Sequence, residues 1–97
     1  MLRDTGTFQT PKASQYLQQL CKHFGHKVKA EFTETNGTVA LGTGPVELTA
    51  DADLLTITVC SEETGALAEA RIIIDKHLAC FAHREAFEAM NWASLAA

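Results

Sequence analysis

Residues 10–33 read TPKASQYLQQLCKHFGHKVKAEFT, and the hydrophobic period changes once within them. Ala13, Tyr16, Leu17, Leu20 and Phe24 are spaced by three and four, which places one apolar stripe along one side of an α-helix. Thr10-Pro11 opens that helix as an N-cap followed by proline at the first helical position, where the missing N–H is not needed. Gly25 falls where a left-handed cap ends a helix, and Lys22 and His23 bring positive charge to the negative end of the dipole. From His26 the period becomes two: Val28, Ala30 and Phe32 alternate with Lys27, Lys29, Glu31 and Thr33, the pattern of a half-buried strand.

The alternation persists downstream. Asn36-Gly37 is a preferred pair for a two-residue type I′ turn, and a register closed on it sets Phe32 opposite Leu41 and Glu34 opposite Val39. A turn at Gly42-Thr43-Gly44-Pro45 leads into Val46, Leu48 and Ala50, and Asp51-Ala52-Asp53 into Leu55, Ile57 and Val59. Thr56, Thr58 and Cys60 point the other way, so the meander has one apolar face and one rich in threonine. Upstream, Thr7-Phe8-Gln9 reads as a short first strand.

Ser61-Glu62-Glu63 opens a second helix with a serine cap and acidic residues in its first turn. Leu67, Ala70, Ile74, Leu78 and Phe81 form its stripe, widened by Ala66 and Ile73, and its end is expected near His83-Arg84. Phe87, Met90 and Trp92 follow neither period, and an edge strand over residues 87–92 is the expectation for the tail. Two striped helices and a one-faced sheet bury all three apolar surfaces together in a two-layer α+β sandwich. The antiparallel sheet then carries both helices on one face, in the order β-α-β-β-β-β-α with a closing strand.

At 97 residues and 46% hydrophobic composition the chain is expected to form a single domain, residues 1–97. No apolar run approaches the roughly 20 residues needed to span a bilayer, and the start lacks the apolar core of a signal peptide. Cys21, Cys60 and Cys80 are odd in number without CxxC spacing, which points to a reduced, cytoplasmic setting. Residues 1–33 carry five basic against two acidic groups and residues 34–97 three against ten. That asymmetry suits pairing within or between copies better than a polyanion footprint. Lys27 and Lys29 lack interleaved aromatics and face Glu31 and Glu47, so nucleic acid is not an expected partner.

Histidine carries the candidate chemistry. His23 and His26 flank Gly25 at the helix–strand junction, where two imidazoles could take a metal, a carboxylate or a phosphate, or merely finish the helix and begin an exposed strand face. His77, four residues after Ile73 and four before Phe81, points toward the sheet. A polar ring there needs a partner or loses ~1–3 kcal/mol, and either a backbone carbonyl or the His23/His26 junction could supply it. His26 and His77 are the pair expected to matter most, with His23 supporting. His77-x-x-Cys80-x-x-His83 shows no fourth metal ligand, and no nucleophile elbow, phosphate-binding loop or dinucleotide fingerprint occurs. No catalytic residue is therefore assigned.

The run from Tyr16 to Val28, containing His23-Phe24-Gly25-His26-Lys27, resembles the bacterial family known as domain of unknown function 2218. The likeness continues through residues 46–59 and the Asp75-Lys76-His77-Leu78-x-x-Phe81 segment to Trp92. His23, Phe24, His26, Lys27 and His77 match the family's marker positions, whereas Gln15 stands where relatives carry a basic residue. The resemblance implies a small, stand-alone cytoplasmic bacterial domain associated with siderophore and iron-uptake settings, without an established activity or cofactor. The element order also resembles half of the TATA-binding-protein fold, as topology only.

Two functions lead, and a third, an enzyme using histidine as general base, needs a cleft and an acid partner that the sequence does not show. One is an accessory protein binding a small ligand or metal, related to iron or siderophores, through His23, His26, Lys27 and His77, with His23, His26 and His77 as the metal candidates. The other is a homodimeric interaction module without ligand, pairing through the threonine-rich sheet face with Lys27, Lys29, Glu31 and Glu47.

Overall fold

The computed structural model describes residues 2–85, 87 and 89–94, without the side chains of His83 and Ser94. The order is β1 (Leu2–Gln9), α1 (Ala13–Phe24), β2 (Ala30–Phe32), β3 (Asn36–Leu41), β4 (Gly44–Ala50), β5 (Leu54–Ser61), α2 (Thr64–Phe81), a 3₁₀ turn (His83–Glu85) and β6 (Asn91–Ser94). The strands form one antiparallel sheet in the order β2-β3-β4-β5-β1-β6. Both helices pack on one sheet face, so the α+β sandwich expected from the patterning is the fold.

Alternation places Val39, Val46, Leu48, Leu55, Ile57 and Val59 in the core, against Leu17 and Leu20 of α1 and Ile74 and Leu78 of α2. One inward-facing row crosses all six strands as Phe32, Gly37, Leu48, Ile57, Gly6 and Trp92. Its two glycines are gaps that other groups fill. A Cβ at Gly37 would lie 2.8 Å from Cys21 Sγ and 3.3 Å from Leu17 Cδ2, so this is where α1 presses on the sheet. A Cβ at Gly6 would lie 2.8 Å from the indole of Trp92, which leans across β1.

Several local expectations are corrected. Asn36-Gly37 is strand, and the hairpin turns two residues earlier at Glu34-Thr35. The Thr33 hydroxyl accepts from the backbone N–H groups of Thr35 and Asn36, and Thr33 N–H donates to Asn36 O. Ser14 Oγ also donates to Glu34 O, tying this turn to α1 at 2.6 Å. Phe32 accordingly faces Gly37 and Ala30 faces Val39. The slip is four residues, an even number, so each side chain keeps its face. Gly25 is right-handed (φ −60°), and backbone bonds continue from Lys27 and Val28 to Phe24 O, so β2 starts only at Ala30.

The first strand is eight residues long, rather than the three of Thr7-Phe8-Gln9, and lies between β5 and β6. α1 begins at Ala13, after a turn in which Thr10 Oγ1 accepts from Lys12 N–H, and α2 begins at Thr64 because Ser61 stays in β5. α2 ends at Phe81, ahead of the expected His83-Arg84. Cys60 has the outward parity expected of it but is buried. The closing strand exists as Asn91–Ser94 on β1, later than residues 87–92, while residues 86, 88 and 95–97 of the tail lie outside the described residues.

Gly6→Ala should lower stability by about 1–3 kcal/mol through overpacking and shift the emission of Trp92, the chain's single tryptophan, to the red. Gly65→Ala, whose Cβ meets nothing within 4 Å, should instead stabilise the helix by up to about 1 kcal/mol. Urea melts followed by fluorescence check both, and a neutral Gly6→Ala with unchanged emission would contradict the packing described.

Candidate functional site: a histidine pair between the helices

Because α1 and α2 share one sheet face, the last turn of α1 comes against the fourth and fifth turns of α2. Phe24, the final rung of the α1 stripe, is buried and lies 4.8 Å from the His77 ring, centroid to centroid. One position earlier, His23 reaches the same ring at 4.7 Å with 53° between the planes. The Phe81 ring flanks His23 edge-on at 6.2 Å. Two imidazoles from different helices thus meet on a platform of two phenylalanines.

His77 is half-buried and its Nδ1 lies 2.7 Å from the carbonyl oxygen of Ile73. A carbonyl only accepts, so Nδ1 carries the proton, and in the neutral ring Nε2 keeps a bare lone pair. The backbone of α2 therefore sets both tautomer and ring orientation. His23 is exposed as a residue, yet its ring lies against His77 and Phe81. The partial loss of water there lowers its pKa below the usual histidine value, and the nearby charges of His77, His26 and Lys27 lower it further.

The expected partnership changes accordingly: His23, given a supporting role from the sequence, is the residue that meets His77. His26 and Lys27 are exposed in the turn after α1, where His26 N–H bonds His23 O and Lys27 N–H bonds Phe24 O. They face the pair as neighbouring charge. Among the described residues, no group of three or more His, Cys, Asp or Glu is placed to hold a metal ion, so His23, His26 and His77 do not close as a three-ligand set. Clefts of about 470 and 480 Å³ lie elsewhere, one lined by Glu31, Phe32, Asn36, Thr38 and Glu47, the other beside the β3–β4 turn and the start of α2. The histidine pair belongs to neither and sits on open surface.

Polar networks that sequence reasoning missed hold the C-terminal segment in place. Tyr16 Oη donates to Glu85 Oε2, and Thr10 Oγ1 donates to Glu85 Oε1 at 2.8 Å. Burial and the adjacent carboxylate push the Tyr16 phenol up to about 12, and the same bond lowers the Glu85 carboxyl. A phenol so placed donates a hydrogen bond and is no base near neutral pH. Asp75 accepts from Trp92 Nε1 and from Met90 N–H, each at 2.9 Å, while Arg71 bonds buried Asp4 at 3.3 Å and lies over the Trp92 ring. Asp4 at an inward strand position was the readable signal. Cys21 is buried against Gly37, with its thiol pushed up to about 11 by desolvation, which leaves it unreactive.

One antiparallel sheet with two helices on one face makes this a two-layer α+β sandwich domain. The chain belongs to the family of uncharacterised proteins conserved in bacteria described as domain of unknown function 2218, whose model matches residues 5–93. It is similar to the NMR structure of PA4090 from Pseudomonas aeruginosa at 32% identity and a TM-score of 0.80, over 96% of each chain. Among curated proteins, none matches. No helix among the described residues is long and apolar enough to cross a membrane.

The lowered pKa of His23 has a consequence for stability. The unfolded chain holds this proton more tightly than the native one, so stability is fully present above the ordinary histidine value of 6.5 and falls as pH drops through the lower folded value. An NMR titration should find the His23 ring titrating below 6.5, and His77→Ala should move it back up. Titration at or above the ordinary value would contradict the contact.

Proposed function

We propose that this protein is an accessory binding domain without catalytic residues, and that its ligand is a metal ion already held by a small chelator, as in iron handling. The observation that carries the reading is the His77 Nδ1–H bond to Ile73 O, the backbone-carbonyl arrangement that fixes a metal-ligating histidine and leaves its Nε2 as donor. His23, with a depressed pKa, is neutral at pH 7 and can supply a second nitrogen. Two imidazoles on adjacent octahedral positions of one metal have centroids roughly 4.5 Å apart, given metal–nitrogen bonds of about 2.0–2.1 Å, and the observed 4.7 Å is close to that. The pair fits two open positions of an ion whose remaining ligands come with it, and does not fit a resident structural metal. The exposed Lys27 suits a chelator that carries negative charge.

Nickel(II) nitrilotriacetate leaves two adjacent positions open and is the probe we suggest, with the untagged protein at pH 7.5. Paramagnetic broadening should appear first at the ring signals of His23 and His77. His77→Ala should weaken binding about tenfold or more, whereas His26→Ala should change it little. Equal broadening of all four histidines, or indifference to His77→Ala, would overturn the proposal.

A further inference from the structure

The second helix is apolar on both sides. Its inner stripe of Leu67, Ala70, Ile74 and Leu78 is buried in the core. The line opposite runs through Gly65, Ala68, Ile72, Lys76 and Ala79, with Glu69 beside it, where a surface helix ordinarily presents mostly charged and polar residues. Ile72 is 60% exposed, the more exposed of the two large exposed hydrophobic residues among the described residues. Gly65, Ala68 and Ala79 on the same line are small, and a Cβ on Gly65 would meet open space, so another helix backbone could approach closely.

We infer that this face of α2 is a self-association surface, on which a second copy of the chain lays its own α2 antiparallel, with the two-fold axis near Ile72. The charges decide both the occupant and the direction. Arg71 and Asp75, the other ionic residues of the central turns, are engaged within the chain with Asp4 and Trp92. Among the described residues the ion pairs are Lys29–Glu31 and Arg71–Asp4, and neither Glu69 nor Lys76 has an ion-pair partner among them. About a two-fold at Ile72 a residue one turn before the axis meets one a turn after it, which sets Glu69 of each copy against Lys76 of the other.

The outer sheet face is less suited to this role, because Lys29, just before β2, already lies 3.9 Å from Glu31 of that strand. A single helix pair of 18 residues, roughly 27 Å long at 1.5 Å per residue, stays below the ~1,200 Å² of a standard interface. The dimer is therefore weak and reversible. His77 points away from this line, against α1, so association leaves the histidine pair accessible.

Sedimentation equilibrium of the full chain, from about 10 µM to about 1 mM at low salt, where dimers of this size class assemble, is the test. The average mass should rise from 10.5 kDa toward twice that value with concentration. Ile72→Arg should abolish the rise, Glu69→Lys and Lys76→Glu should each weaken association about tenfold, and the two reversals together should restore it. A monomer at the highest concentration, a dimer indifferent to these substitutions, or assemblies larger than two would overturn the proposal.

Discussion

The structure depends on how closely other groups can approach two glycines in one row of the sheet. Phe32, Gly37, Leu48, Ile57, Gly6 and Trp92 cross the six strands side by side, and at Gly37 and Gly6 the missing side chains make room. Leu17 and Cys21 settle over the first gap, which seats α1. The indole fills the second and is locked by Asp75, which also bonds the Met90 backbone, so the C-terminal strand closes on β1. In a domain of this size, where burial is limited, such contacts decide where each element comes to rest.

The histidine pair follows from that seating. With α1 set down over Gly37, its last turn has to pass beside α2, and Phe24 lands on His77. His23 is carried to the same ring because it precedes Phe24 on the helix surface. The α2 backbone then orients His77 through the Ile73 carbonyl. Among the described residues no ionic side chain bonds either imidazole, and the site is built from packing and one backbone bond. Such an arrangement holds its nitrogens in place while leaving them reachable from solvent.

Much of the architecture was legible because most inward positions carry residues of the expected type. The α1 stripe, the alternation of Val46 to Ala50 and of Leu55 to Val59, and the stripe of α2 all obey their periods. The length of β1 is hidden because, between the inward Leu2 and Phe8, its inward positions are Asp4 and Gly6: one is neutralised by Arg71 and the other is filled by an indole. Gly37 looked like a turn residue beside Asn36, whereas its role is to admit Cys21. At Gly25 the sequence suggests a left-handed cap and a reversal, but the chain runs on right-handed through Val28. That difference turns His26 into a loop residue and leaves His23, rather than His26, beside His77. No periodicity records which of two neighbouring histidines faces another helix.

Long-range proton–nitrogen NMR correlations of the imidazoles at pH 7.5, read together with contacts between their ring protons, test this arrangement most directly. The account predicts His77 as the Nδ1–H tautomer, with contacts to the rings of His23 and Phe24. A His77 ring protonated at Nε2, or one in contact with His26 and not with His23, would contradict it.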